Sequence, residues 1–515
     1  MKLRAKLLGF ATGGMGIVVL DDSIAKRLGV HPLDRVKIKY NGKEVLAIVN
    51  VAKKLSSNKI DEVALYDEVV KALDVKEGDI VEVEPVEPPK SIAYIRSKLR
   101  EERLGPEEIR EIIKDIVRGA LNEVEIAALV TTLHHQGLSI EEAYYFTLAM
   151  VETGERLRLN KKPILDKHSL GGIPGDKTTI LIVPIIASLG YIIPKTSSRA
   201  ITSPAGTADR FEVLAPVDLS VEEMEEVVEK AGGCIVWGGA LRLAPADDII
   251  IRVEYPLAID PFFIPSIMAK KAAVGSTHVV IDIPVGRDAK VSTLAQGERL
   301  AKDFIELGSR LGMHVEVALT SGDQPIGYAV GPALEAREAL KTISGDGPGD
   351  LVNKATRLAG LLLGMVGNKN GEAIAREALR LGKAEKKLRE IIEAQGGDPK
   401  VRPEDIPIGE YTEVIKAKRK GRVLYINNRA IAQIARAAGA PRDKGAGILL
   451  RVKLGDVVDE GDPLMEIYAE KGYKLELALK LAEELMPIIV GKRHEIMVLK
   501  HIPAVPRPGL PELER

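Results

Sequence analysis

The sequence has almost no cysteine and no long apolar segment at its start. One cysteine in 515 residues excludes internal disulfides, and the apolar surroundings of Cys234 in AGGCIVWGG predict a buried, unreactive thiol. Glycines interrupt the opening MKLRAKLLGFATGGMGIVVL, which lacks an apolar segment of the length expected for a signal peptide or a membrane span. Together these absences favour a cytoplasmic protein.

Charge of either sign is not in excess. Lysine and arginine total 73 and the acidic residues 74, so the formal net charge is −1. Partners such as nucleic acid or a membrane surface usually require a basic excess, and neither is expected here. Any anion site must therefore be local. His134 and His135 point in different directions on one predicted helix, and no other Cys or His cluster has ligand spacing, so no metal is expected.

Length and composition predict a globular chain of several domains. A chain of 515 residues exceeds what one hydrophobic core supports and suggests about three or four domains. Hydrophobic residues make up 45% and charged residues 29%, as is typical of soluble proteins. The many Glu and Lys residues with scarce Cys are typical of a thermophile.

An internal repeat occupies the N-terminal part. The segment VLDDSIAKRLGVHPLDRVKI begins at residue 19, and ALYDEVVKALDVKEGDIVEV begins at residue 64. Each copy predicts a strand end, a short helix, a turn and a second strand. Because neither copy can bury its core alone, we expect the two to interlock as a small, double-psi-like barrel over residues 1–87. Residues 84–91, EPVEPPKS, predict a linker, and the module carries no candidate catalytic group.

The rest of the chain predicts an α/β multidomain protein. From residue 92 to about 160, apolar residues recur every three or four positions, with breaks at Gly105-Pro106, Asn122 and Ser139, which predicts a helical domain. Apolar strands that alternate with helices predict a mixed α/β domain at 161–345. A C-terminal α+β region is expected at 350–515, with a β-rich unit from about Thr412.

The stretch DKHSLGGIPGDKTT, residues 166–179, has the composition of an anion site. A glycine-rich loop that opens a helix offers free backbone N–H groups to an anion. An ATP-binding Walker loop requires lysine directly after its last glycine, whereas here Asp176 follows Gly175 and Lys177 comes one position late. We therefore interpret the loop as an anion site of another kind, with His168 beside it.

Three further stretches have the polar density of a site. The hydroxyl groups and the arginine of KTSSRAITSPAGTADR, residues 195–210, suit a phosphate or a sugar. The alternative is that this stretch is only an exposed surface loop. In RVEYPLAIDPFFIPSIMAKK, residues 252–271, Asp260 is an acid in apolar sequence, yet Asp260 followed by Pro261 is equally typical of a helix start. VGRDAKV, residues 285–291, places Lys290 in a turn after a strand, where it could reach an anion.

Together these stretches resemble the thymidine phosphorylase family of nucleoside phosphorylases. DKHSLGGIPGDKTT, SSRAITSPAGTAD, SIMAKK and a C-terminal unit containing GR and RAI follow the family's order and spacing over about residues 92–490. Pro174, Lys177 and the repeat-built N-terminal module depart from the bacterial pyrimidine enzymes. These features are similar to those of the archaeal AMP phosphorylases.

The resemblance implies a fold and a reaction. A helical domain of residues 92–160, joined by about 250–275, would face the α/β domain across a cleft that closes on substrate. The reaction implied is phosphorolysis of AMP to free base and ribose 1,5-bisphosphate, with CMP and UMP as further candidate substrates and with no cofactor. One alternative is a pyrimidine nucleoside phosphorylase, and another is a non-enzymatic scaffold. A third is an enzyme like anthranilate phosphoribosyltransferase, although the sequence shows no site for the Mg²⁺ and diphosphate that such an enzyme needs.

The resemblance also implies roles for individual residues. Asp260 would donate a proton to the departing base, with its pKa raised by the apolar PLAI before it. The expected phosphate ligands are Lys167, Ser169, Thr179 and Thr207. The expected AMP contacts are Gly172, Ser198, Arg199, Ala200, Ile201, Thr202, Ser203, Thr207, Ser266 and Lys290. The residues that match base-side positions are His168, Arg252 and Lys270.

An assembly larger than a dimer is expected. The family that the sequence resembles pairs through its helical domain, which implies a homodimer. A second interface on the N-terminal module would then join dimers into a larger homo-oligomer.

Overall fold

The computed structural model describes residues 1–53, 55, 61–200 and 203–491. These residues form an N-terminal barrel, a helical unit, an α/β unit and a C-terminal α+β unit, and their elements are numbered along the chain. Within these ranges, no helix is both long enough and apolar enough to cross a membrane.

The N-terminal unit is a closed barrel of six strands. Its elements are β1 (Lys2–Leu7), β2 (Ile17–Asp21), α1 (Asp22–Leu28), β3 (Arg35–Tyr40), β4 (Lys43–Ala52), β5 (Glu62–Leu65), α2 (Asp67–Leu73) and β6 (Ile80–Val86). The order around the barrel is β1-β5-β2-β4-β3-β6, so strands of the first copy (β1 to β3) alternate with strands of the second (β4 to β6). Neither copy could close a sheet by itself, which confirms the predicted interlocking repeat. The double-psi path of the chain stays a prediction.

The helical unit combines four consecutive helices with two from later in the chain. Its helices are α3 (Ser91–Leu99), α4 (Pro106–Val117), α5 (Glu123–Gln136), α6 (Ile140–Glu152), α10 (Pro245–Leu257) and α11 (Phe263–Ala273). Asn122 and Ser139 cap α5 and α6 in reciprocal capping boxes, so both helices begin at breaks that the sequence analysis predicts. Phe146 on α6 packs edge to face on Phe262, with ring centroids 5.0 Å apart, and this contact holds the later helices in place.

The α/β unit is built on five parallel strands. Its strands are β7 (Leu165–Ser169), β8 (Ile193–Ser197), β9 (Gly233–Trp237), β10 (His278–Val285) and β11 (His314–Ser321). Its helices are α7 (Thr178–Ser188), α8 (Thr207–Phe211), α9 (Val221–Ala231), α12 (Leu294–Arg310), α13 (Pro332–Ile343), α14 (Gly349–Met365), α15 (Gly371–Arg380) and α16 (Lys383–Ala394). The sheet β11-β10-β7 continues through a parallel bridge between Ile164 and Ile192 to the pair β8-β9. The loops that follow these strands therefore meet at one edge.

Core packing places the end of the α/β unit later than predicted. Helices α14 to α16 follow residue 349, in the range that the sequence analysis assigns to the C-terminal region. Their buried residues Leu358, Leu362 and Leu388 share one hydrophobic core with Ile182 on α7. Because their apolar faces are covered by the α/β unit, these helices belong to it and not to the C-terminal unit.

The C-terminal unit contains two small antiparallel sheets and two helices. Its elements are β12 (Ala329–Val330), β13 (Tyr411–Lys416), β14 (Gly421–Ile426), α17 (Asn428–Ala437), β15 (Gly447–Leu450), β16 (Val457–Val458), β17 (Pro463–Ala469), α18 (Gly472–Leu485) and β18 (Ile488–Gly491), after a 3-10 turn at Pro403–Asp405. The sheet orders are β12-β15-β17-β13 and β16-β14-β18. Strand β12 precedes α13 in the chain, so its pairing with β15 ties this unit to the α/β unit.

A buried ion pair stabilises the helical unit. Lys98 Nζ lies 2.6 Å from Glu142 Oε1, and each side chain is only 5% exposed. Glu142 also accepts hydrogen bonds from the Leu104 N–H (3.3 Å) and the Ser139 hydroxyl (2.9 Å). Although burial opposes ionisation, the donors from Lys98 and Ser139 hold the pKa of Glu142 below its ordinary value.

We expect Glu142→Gln to lower the free energy of unfolding by about 3 kcal/mol, because Lys98 would be buried without a counter-charge. Since the folded pKa of Glu142 is depressed, its contribution is present above the unfolded pKa of about 4.3 and is lost as the pH falls further. Denaturant unfolding at pH 7 and at pH 3 measures both effects. The matched control is Glu141→Gln, since Glu141 is exposed, and equal losses in the two variants would contradict the prediction.

Candidate functional site

A cleft of about 890 Å³ lies between the edge where the parallel strands end and helices α10 and α11. Ligands bind at the carboxyl ends of strands in α/β sheets because the loops there converge. The predicted site residues that line the cleft are His168, Ser169, Gly172, Ser198, Arg199, Ala200, Ser203, Arg252, Asp260, Ser266, Lys270 and Lys290. The predicted contacts Ile201 and Thr202 lie outside the described residues.

The glycine loop between β7 and α7 forms one wall of the cleft. Gly171, Gly172 and Gly175 have φ values of +71°, +87° and +75°, which side chains rarely allow. At Gly172 space is restricted as well, because a Cβ there would lie 3.0 Å from the Cγ of Lys290. The two cleft loops can therefore approach each other only with glycine at this position.

Lys177 points away from the cleft. Its side chain is fully buried, and its Nζ donates to the carbonyl groups of Ile326 (2.9 Å) and Ala329 (3.1 Å). A Walker lysine would instead face the ligand phosphates. The position of Lys177 therefore agrees with the interpretation of the loop as a different kind of anion site.

A buried ion cluster lies behind the glycine loop. Lys167 Nζ donates to Thr178 Oγ1 (2.9 Å) and lies 3.8 Å from Asp282 Oδ2. Lys354 Nζ lies 2.8 Å from the same Asp282 oxygen and 3.5 Å from Asp176 Oδ2. Burial lowers the pKa of Lys167, whereas the two ammonium groups hold the pKa of Asp176 well below its ordinary value despite burial. The two lysines and two aspartates neutralise each other and support the loop.

Of the four predicted phosphate ligands, only Ser169 lines the cleft. Its hydroxyl donates to Asp176 Oδ2 at 3.0 Å. Lys167 and Thr179 are buried behind the loop, and the Thr207 hydroxyl accepts from Arg210 Nη1 (3.3 Å) at the start of α8. The period of the strand explains the difference, because Lys167 and Ser169 share one face of β7 but only Ser169 reaches its end.

The opposite face of β7 carries Asp166 and His168. Asp166 Oδ2 accepts from Lys271 Nζ at 2.6 Å, and Asp166 Oδ1 lies 3.8 Å from Lys195 Nζ. Burial, followed by the charges of Lys271 and Lys195, lowers the pKa of His168 well below its ordinary value. The imidazole is therefore neutral at pH 7 and can take part in hydrogen bonds with a ligand.

The charge of Arg199 is already neutralised. Its guanidinium donates to both oxygens of Glu212 (2.9 and 2.6 Å) and lies over the Trp237 ring, 4.8 Å from the centroid. Nearby, Asp209 Oδ2 accepts the N–H groups of Ala200 (2.7 Å) and Gly206 (2.8 Å) and so fixes the backbone of this loop. Arg199 therefore shapes the cleft wall more than it supplies free positive charge.

Asp260 lies in the turn between α10 and α11. Helix α11 begins at Phe263 with Phe262 as its N-cap, and no side chain caps it. The alternative that Asp260 starts a helix is therefore wrong. Asp260 keeps solvent contact at the cleft wall, and partial desolvation by its surroundings raises its pKa to about 6, although the charges of Lys290 and Lys270 oppose the shift.

Three further acids line the cleft that the sequence analysis did not single out: Glu254, Asp248 and Asp288. Glu254 is 3% exposed, and its Oε1 accepts the Phe262 N–H (3.4 Å) across the turn that carries Asp260. Burial, followed by the charge of Asp260, raises the pKa of Glu254 to about 8, and burial raises that of Asp248 to about 6. The signal available in the sequence is the presence of acids in the apolar segment DDIIIRVEYPL.

Three cations line the cleft without a carboxylate within ion-pair distance in the described part of the chain: Arg252, Lys290 and Arg429. Lys270, in contrast, is held by Asp247 at 2.5 Å. Arg429 belongs to α17 of the C-terminal unit, so only the tertiary structure brings it to the cleft. Unpaired cations in a cleft favour anionic ligands. Across the described ranges, no group of His, Cys, Asp and Glu could hold a metal ion.

Comparison with protein families shows three matching domains. The description "Glycosyl transferase family, helical bundle domain" matches residues 92–154. The description "Glycosyl transferase family, a/b domain" matches residues 161–385. The description "Pyrimidine nucleoside phosphorylase C-terminal domain" matches residues 422–489. These matches follow the helical, α/β and C-terminal units of the structure.

Several proteins are similar over nearly the whole chain. A Thermofilum pendens protein named AMP phosphorylase is 57% identical over 492 residues, which is 96% of each chain. A Pyrococcus furiosus protein of that name is 50% identical over 511 residues, 98% of this chain and 99% of the relative. Among solved structures, anthranilate phosphoribosyltransferase from Thermus thermophilus aligns with a TM-score of 0.51 at 21% identity, over 58% of this chain and 98% of that one. At this identity, the last similarity shows the fold alone.

Proposed function

The chain belongs to the AMP phosphorylase family, and from this premise we propose that it cleaves AMP with inorganic phosphate. The products are adenine and ribose 1,5-bisphosphate, so the enzyme is a pentosyltransferase. The bond between the base nitrogen and C1′ breaks, and a bond forms between C1′ and a phosphate oxygen. The proton of Asp260 passes to the departing base.

The observation that carries this proposal is a carboxyl with a raised pKa in a cleft that also holds unpaired cations. The departing base gains negative charge in the transition state, so a proton donor speeds its release. At its ordinary pKa an aspartate would be ionised at neutral pH, whereas Asp260, with a pKa of about 6, keeps part of its proton. A nucleotide and a phosphate each carry about −1.5 to −2 charges at pH 7, which Arg252, Lys290 and Arg429 offset.

We assign inorganic phosphate to the glycine loop. Ser169 in the cleft wall would contact it, while Lys167 and Thr179 act from behind the loop and Thr207 acts at the start of α8. The positive φ glycines leave backbone N–H groups accessible, which suits an anion. No cofactor is needed, because phosphate itself is the nucleophile.

We assign AMP to the remainder of the cleft, next to the glycine loop. Gly172, Ser198, Ser203 and Ser266 face the ribose, and Lys290 binds the 5′-phosphate. On the base side lie the neutral His168, together with Arg252 and Lys270. A pyrimidine nucleoside phosphorylase is the second candidate, because its C-terminal domain description matches residues 422–489. Such an enzyme has no use for cations that bind a 5′-phosphate.

The direct test is to incubate the enzyme with phosphate and a panel of AMP, CMP, UMP, adenosine and thymidine, and to measure free base. We expect AMP to release free base. Adenosine should react more slowly, on the order of 100-fold, because it lacks the 5′-phosphate and each charged hydrogen bond to that group contributes about 1.5–3 kcal/mol. Chelator should have no effect. Faster release from thymidine than from AMP would establish the pyrimidine alternative, and the absence of phosphate-dependent release from every compound would refute both.

Replacement of Asp260 tests the proton donor. Asp260→Asn should lower kcat by about 100- to 10,000-fold, as expected for loss of a general acid, while AMP binding measured by calorimetry persists. In the wild type, kcat/KM should fall as the pH rises through about 6, because Asp260 then loses the proton it donates. The matched control is Asp248→Asn, since Asp248 lies in the same cleft with a pKa of about 6. If Asp248→Asn removed the pH dependence, the assignment to Asp260 would fail.

For assembly, we propose a cytoplasmic homo-oligomer in which dimers formed through the helical unit are joined by the N-terminal barrel. Two interfaces of different symmetry generate particles larger than a dimer. Light scattering should show such a particle for the full chain and a dimer after deletion of residues 1–87. A full chain that remains dimeric would contradict the role of the barrel in assembly.

A further inference from the structure

The N-terminal barrel reaches the cleft through the connection between β1 and β2. A Cβ built at Gly14 would lie 2.3 Å from Nη1 of Arg252 and 3.1 Å from both Cζ and Nη2. At neighbouring Gly13 the corresponding distance to Nη1 is 3.7 Å. The backbone of this loop is therefore packed directly on the guanidinium of a residue that lines the cleft.

The loop that touches Arg252 is itself held in place. Glu68 Oε1 accepts the N–H groups of three consecutive residues, Thr12 (2.8 Å), Gly13 (2.8 Å) and Gly14 (3.2 Å). The Thr12 hydroxyl accepts the Met15 N–H (3.1 Å) and donates to the Met15 carbonyl (2.6 Å). Although burial opposes ionisation, the backbone donors hold the pKa of Glu68 below its ordinary value. An ionised carboxylate thus fixes the loop at neutral pH.

Arg252 has little else to restrain it. It is exposed and has no carboxylate within ion-pair distance in the described ranges. A free arginine side chain loses about 2 kcal/mol of rotamer entropy when it is immobilised. A rigid backbone that already limits its rotamers lowers this cost when a ligand binds.

The backbone conformation at position 14 favours glycine, and a side chain there would also displace the guanidinium of Arg252. The φ of Gly14 is +137°, which disfavours any side chain. Gly42 in the same barrel has a φ of +78°, but a Cβ there would have nothing within 4 Å. Both glycines therefore have a positive φ that disfavours a side chain, but of the two only Gly14 also lies against Arg252.

We propose that the Thr12–Gly14 loop is a positioning element that holds Arg252 toward the base side of the cleft and so lowers the KM for AMP. The barrel then contributes to the active site of its own chain, in addition to any role in assembly. This inference rests on the proposed function, because it takes AMP as the ligand that Arg252 meets. It adds a positioning role for a module in which the sequence shows no candidate chemistry.

The test is a double-substitution cycle with Gly14→Ala and Arg252→Ala in the full chain. Gly14→Ala should raise the KM for AMP about tenfold, the lower end of what a charged hydrogen bond contributes, with kcat unchanged. Once Arg252 is absent, Gly14→Ala should have no further effect on KM. The matched control, Gly42→Ala, carries similar backbone strain and should leave KM unchanged. A wild-type KM in Gly14→Ala, or fully additive effects in the double variant, would overturn the inference.

A second readout separates failure of this inference from failure of the proposed function. Adenine release by the wild type tests the function by itself. The same four proteins of the cycle are also compared by thermal unfolding, which needs no ligand. Non-additive shifts in Tm support the contact between the loop and Arg252, and additive shifts overturn it, whether or not AMP is the substrate.

Discussion

The ion pair between Asp166 and Lys271 joins the two walls of the cleft. Asp166 lies on β7 of the α/β unit and Lys271 on α11 of the helical unit, with 2.6 Å between their charged atoms and no more than 1% of either residue exposed. Removing one partner would leave the other buried without a counter-charge, at a cost of about 3–5 kcal/mol. The pair therefore fixes the glycine loop that follows β7 relative to the helix that follows Asp260.

Charges around the cleft divide into those that are neutralised and those that are free. Lys167 and Lys271 are buried, Lys354 is nearly so, and all three are paired with aspartates that hold the loops in position. Arg252 and Lys290 face the cleft without such partners and are available to an anionic ligand. Because burial penalises an unpaired charge, cations can remain free only where the cleft is open to water or filled by a ligand.

The topology of the barrel explains how a structural repeat can also serve the cleft. Closure of the barrel uses alternating strands from the two copies, so the long connection between β1 and β2 is not needed to complete the sheet. That connection is free to extend to α10, where Gly14 meets Arg252.

The sequence by itself determined the local structure and the family. Capping at Asn122 and Ser139, the interlocking repeat and the order of the polar stretches depend on neighbouring residues or on whole motifs, which the chain displays directly. The tertiary structure decided which residues face the cleft. Burial of Lys167 behind the loop, the turn at Asp260 next to Glu254, and the arrival of Arg429 and Gly14 all depend on contacts between distant segments. Spacing along the chain does not encode such contacts, because they form only when separate hydrophobic cores pack against one another.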